Sequence, residues 1–145
     1  MNFGDGQSWL GEIGTSSPLI AGVVTGIFGF SEENIFCIIQ QGVIFLINAT
    51  DPATYREIDS DGGIVWMHFE EKENILLLGS QWTITGVGPD GFIWRTPRLS
   101  IDGFKVSGIS GWNILGTSDP ESDGSHEFSV DLRSGVTVGK FIGIL

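Results

Sequence analysis

The stretch "SEENIFCII", residues 31–39, sets a polar turn against an unbroken apolar run, with Asn34 at the join. The pattern returns in "EKENILLLG" at Asn74 and in "SGWNILGT" at Asn113, 40 and then 39 residues further along. Asn adopts the left-handed backbone conformation more readily than most residues with a Cβ. Each Asn is therefore predicted to close a hairpin, with the apolar run as the strand that follows. Three copies at a near-constant interval describe a repeat chain whose unit is one small antiparallel sheet.

The neighbouring segments agree. "IFCII", "VIFLI" and "ILLL" are continuous apolar runs of strand length, as expected of strands covered on both faces. "EFSVDL" alternates instead, which puts Phe128, Val130 and Leu132 on one face. "QWTITGV" sets Trp82 and Ile84 on one side and threonines on the other. "PDG" at Pro89–Gly91, "SDGG" at Ser60–Gly63, Asp102-Gly103 and "RSG" at Arg133–Gly135 favour tight reversals. No window has helical periodicity.

A second mark runs in step with the first. Asp5 stands four residues before Trp9, Asp51 four before Tyr55, and Asp90 four before Trp94. Each pair reads as a turn feeding a strand with an inward aromatic. The last copy keeps the turn glycine, Gly135, and ends in Val138. The expectation is one all-β domain over 1–145. It holds about three four-stranded antiparallel repeats, roughly 19–58, 62–98 and 101–142, with an extra strand near 7–13. A β-trefoil and a β-sandwich are the alternative architectures.

At "DGQSWLGEIGTSSPLI" and "DGFIWRTPRLSIDGF" the chain resembles β-propeller repeats of the quinoprotein type. There a glycine turn leads into a strand ending in Trp, and the next sheet opens after a Ser-Pro step, here Ser17-Pro18. "FSVDLRSGVTVGKF" is similar to the closing hairpin of such a blade. The resemblance implies a fold and carries over no quinone-binding or metal-binding residue. Propellers close with about four to eight blades, so three blades leave an open array unless two protomers complete a six-bladed ring. An open array exposes sheet edges that attract partners.

Charge narrows the function classes. Eighteen acidic residues against seven basic ones give a net charge of −11. Phosphate backbones and anionic lipid repel such a chain, so nucleic acid and membranes are excluded as partners. A basic protein partner is favoured. The single cysteine, Cys37, lies among apolar neighbours and is expected to be a buried, inert thiol. A cytoplasmic location is expected, because "MNFGDGQSW" has neither the basic nor the apolar part of an export signal.

No catalytic constellation emerges. "GVGPDG", Gly86–Gly91, has the spacing of a dinucleotide fingerprint, but Pro89-Asp90-Gly91 is a turn and a strand follows, where that motif needs a helix. "DPESDG", Asp119–Gly124, sets carboxylates at alternate positions, yet the twelfth position is Val130 and no helix flanks it. A solvated loop is the simpler reading, and no cofactor or metal is assigned. His68 shares a strand face with Trp66 and reads as a packed or edge imidazole. Glu70, Glu71 and Glu73 read as a solvated turn tip. Trp82 and Trp112 fall outside the repeat and are candidates for exposed aromatic contacts. With Asp119, Glu121 and Asp123 they form the predicted binding set.

The expected function is a non-catalytic acidic domain that binds protein. A concrete form is a cytoplasmic inhibitor, such as an immunity protein against a basic toxin. One alternative is a carbohydrate-binding module or hydrolase using a groove between repeats. Another is a self-assembling structural unit.

Overall fold

The computed structural model describes residues 25–30, 34–119 and 124–140. Among them the chain forms three four-stranded antiparallel sheets and no α-helix. The first sheet comprises β1 (Gly26–Gly29), β2 (Ile35–Gln40), β3 (Val43–Asn48) and β4 (Arg56–Ile58). The second comprises β5 (Trp66–Glu70), β6 (Ile75–Gly79), β7 (Ile84–Gly88) and β8 (Gly91–Arg95). The third comprises β9 (Phe104–Ser110), β10 (Asn113–Ser118), β11 (His126–Asp131) and β12 (Thr137–Gly139). Each is a meander in chain order, and none closes into a barrel. One turn of 3-10 helix, Pro52–Thr54, interrupts the first sheet between β3 and β4. The expected strand near 7–13, Trp9 and the Ser17-Pro18 step lie outside the described residues.

The three Asn-Ile joins each open the second strand of a sheet, but their backbones differ. Asn74 has φ +52 and closes its hairpin in the left-handed region. Asn113 does not: the left-handed residue there is Gly111, at φ +58, and Asn113 is already the first residue of β10. Glycine takes that conformation with no Cβ penalty, so the Asn is released from the task.

The sheets stack through the apolar runs. Cys37, Ile39, Ile44 and Leu46 of the first sheet pack against Leu76, Leu78 and Val87 of the second. On the other face of the second sheet, Ile75, Leu77, Ile84 and Trp94 meet Ile114, Phe128 and Val130 of the third. The middle sheet is thus covered on both sides, and every residue of β6 and β7 is buried. That is why "ILLL" lacks alternation while "EFSVDL" has it. A third cluster, Ile38, Phe45 and Ile47, occupies the far face of β2 and β3.

Two of the expected inward residues depart from the pattern. Trp94 is buried, but Tyr55 is 60 % exposed and precedes β4, and Val138 is 67 % exposed on β12. The 3-10 turn takes up the residues that would have carried Tyr55 inward. Trp82 lies ahead of β7 rather than in it, and Ile84 and Thr85 are both buried, so no strand face is left for exposed threonines.

Strand direction alternates, so the turns gather at two ends of the molecule. At one end Arg56 donates to the Asp90 carbonyl at 3.0 Å, and Arg133 lies 3.5 Å from Glu73. At the other, Arg95 pairs with Asp59 at 3.7 Å, and the Thr83 hydroxyl donates to Asp61. These cross-sheet contacts bring like ends together in all three sheets.

Candidate functional site

Within β5, Trp66, His68 and Glu70 point toward the third sheet, while Met67 and Phe69 point toward the first. Phe69 fills its side: its ring centroid is 4.6 Å from that of Phe28 in β1. The opposite side stays open. β9 pairs with β10 through a bulge, since Leu115 faces Gly108 and Gly116 faces Val106, with Ser107 as the extra residue. Val106 and Ile109, which both face the middle sheet, are therefore three residues apart instead of two. The Ser107 hydroxyl donates to the Leu115 carbonyl at 3.0 Å and fixes the irregularity.

The result is a cleft of about 490 Å³ between β5 and β9. Its walls are Trp66, His68, Glu70 and Lys72 on one side and residues 106–109 with Gly111 on the other. The Trp66 and His68 rings are nearly parallel, at 10°, with centroids 6.4 Å apart. The Glu70 carboxylate is 18 % exposed and lies 3.9 Å from His68 Nε2, too far for a direct hydrogen bond. The Lys72 amide donates weakly to Glu70 Oε1 at 3.4 Å. Glu70 is thus the last residue of a strand and faces a cleft, which corrects its reading as part of a solvated tip. Glu71 fits that reading, being exposed in the turn.

The cleft opens at Gly111 beside Trp112. Trp112 is 40 % exposed, and the Arg133 guanidinium sits 3.6 Å from its ring centre while reaching Glu73. The same end carries Asp51, Glu57, Glu71, Asp90 and Asp131. Of the cations there, Arg56 and Arg133 are held in the contacts already described, and Lys72 stands exposed between Glu71 and Glu73. Asp131 accepts from the Ser134 hydroxyl at 2.7 Å, the Ser134 amide at 2.8 Å and the Arg133 amide at 3.1 Å. Those bonds, the Ser134 hydroxyl first, hold its carboxyl below the usual carboxylate range.

The predicted binding residues do not share one place. Trp112 is at the acidic end, whereas Trp82 and Asp119 are at the other. Trp82 is half-buried under Arg98, 5.1 Å from its ring centre, and its carbonyl accepts from Leu99. Asp119 is exposed and accepts from the Ile101 amide through its carbonyl. Glu121 and Asp123 lie outside the described residues. Among the described residues no three His, Cys, Asp or Glu side chains converge to hold a metal ion. No helix there is long and apolar enough to cross a membrane. Cys37 is a buried free thiol whose pKa burial pushes up to about 12.

The sequence reading placed Trp66 and His68 on one strand face but missed the cleft beside them. The available signal was the Ser107-Gly108 pair inside an otherwise alternating strand, which marks a bulge. The chain matches no protein-family model, no curated protein and no solved structure.

Proposed function

We propose that the protein is a non-catalytic acidic domain that binds a basic protein, and that its docking surface is the turn end carrying Trp112. In its concrete form this is a cytoplasmic inhibitor that covers a basic enzyme, as an immunity protein does. The three sheets serve as propeller-like blades, a scaffold that presents their turns together.

The observation that carries the proposal is the composition of that end. An exposed indole stands at the end that carries Glu71, Glu73 and Asp90, where the two arginines are engaged and acidic residues outnumber the remaining Lys72. Aromatic anchors dominate binding energy at interfaces, and a surrounding field of one sign speeds encounter with the opposite one. Glu73 and Arg133 hold Trp112 in place, which lowers the ordering cost of binding.

The test compares the wild-type chain with a variant carrying Trp112→Ala, Glu71→Gln and Asp90→Asn as baits for capture from the source cell. A basic protein retained by the wild type, released by salt and lost with the variant is the expected result. Equal recovery by both baits, or recovery of acidic proteins only, overturns the proposal.

A further inference from the structure

We propose that the cleft between β5 and β9 is a separate binding site for a neutral sugar unit. The inference does not depend on the protein partner proposed above. It rests on the kinds of group that line the cleft and on their order.

Side chains two apart on a strand are about 7 Å apart. His68 and Glu70 therefore stand one repeat apart on one wall, and Lys72, in the turn that follows β5, closes the same wall. The carboxylate only accepts hydrogen bonds, the ammonium only donates, and a neutral imidazole does one at each nitrogen. The formal charges of Glu70 and Lys72 cancel. A cationic ligand would meet Lys72, and an anionic one would meet Glu70. A polyhydroxylated neutral molecule satisfies both, because each hydroxyl donates and accepts.

The remaining surfaces suit the same ligand. The rings of Trp66 and His68 lie parallel along this wall and offer aromatic surface for the C–H face of a pyranose ring. Across from it stand the apolar Val106 and Ile109. β5 pairs only with β6, and β9 only with β10, so among the described residues each leaves one edge that no strand pairs. At the bulge, Ser107 and Gly108 present backbone with little side chain in front of it. The volume falls within the range of small-molecule sites.

A nitrogen-15 NMR titration of the full chain tests the proposal. The probes are glucose, galactose, mannose, N-acetylglucosamine and their common disaccharides, each taken to about 10 mM. Saturable shifts are expected at the Trp66 indole N–H and at the Ser107, Gly108 and Ile109 amides. Glu70→Gln keeps the shape of the wall and removes the charged acceptor, so it should weaken binding about tenfold. His68→Ala removes one of the two wall rings together with its hydrogen-bonding nitrogens and should also weaken binding. The spectra themselves report whether each variant is folded. Absence of shifts with every sugar overturns the inference, as does a Glu70→Gln variant that binds as tightly as the wild type. Shifts produced only by arginine amide or inorganic phosphate overturn it too. Loss of the protein partner on changing Trp112, with sugar binding intact, would separate the two sites.

Discussion

Trp94 joins two sheets with one side chain. Its indole lies under Gly135, and its Nε1–H donates to the Leu132 carbonyl at 3.0 Å. Gly135 has φ +72, and a Cβ there would sit 2.7 Å from the indole. Both backbone and space therefore demand glycine. Trp94→Phe leaves a buried carbonyl without its donor and opens space where the larger indole lay, so it should cost at least about 1–3 kcal/mol in chemical denaturation. Asp131, in the same turn, makes a pH-dependent contribution. Its carboxyl is depressed in the folded chain, so the stability it adds is complete above the unfolded carboxylate pKa. That stability is lost as pH falls through the lower folded value. The Arg133 and Ser134 amide shifts should follow this titration by NMR, and Asp131→Asn should abolish the dependence while keeping an acceptor in place.

At the scale of the element, the apolar pattern carried most of the information. "ILLL" without alternation implied cover on both faces, and β6 has it; Phe128, Val130 and Leu132 implied one buried face, and β11 with its turn has that. β10 offers the sharpest test, because its neighbours Ile114 and Leu115 have opposite fates. Ile114 is buried between sheets and Leu115 is 39 % exposed. Ile114→Ala should cost about 2–5 kcal/mol by denaturant melting, and Leu115→Ala should stay within about 0.5 kcal/mol. The repeat itself was legible, but the geometry of its joins was not. The Asn marks located strand starts, yet at Asn113 the turn was handed to Gly111, because two residue types compete for one left-handed position. Tyr55 matched Trp94 in spacing and still faced out, since Pro52 opens a 3-10 turn that the spacing does not register. The cleft was least visible of all. It depends on the pairing of β9 with β10, and a pairing register belongs to two strands at once.

At the scale of the molecule, the first and third sheets turn unlike faces away from the middle sheet. The far face of the first sheet holds the apolar Ile38, Phe45 and Ile47. The outward face of the third sheet runs in three rows, Lys105, Thr117 and Glu127, then Gly108, Leu115, Ser129 and Val138, then Ser110, Asn113 and Asp131. The first row is polar and charged, and the second offers only Leu115 and Val138 for apolar contact. A sheet stacked there would bury Lys105 and Glu127 with little apolar gain, and burying charge is costly. The third sheet therefore ends the stack as a capping repeat does. We expect this face to take no part in association; a dimer in sedimentation analysis that is lost when Lys105 and Glu127 are changed to Ala would mean that the polar rows are bridged after all.

The bulge in β9 has a consequence for how readily this protein could gain or lose a ligand. Its recess hangs on one supernumerary amino acid, Ser107, in a strand whose other pairings are regular. Deleting that position should restore an unbroken ladder with β10 and draw Val106 and Ile109 together across the gap. Titration of the shortened chain should then show the pocket erased and the melting temperature preserved or raised. A single in-frame codon change would thus suffice to switch the recess on or off, with the surrounding architecture left as it was.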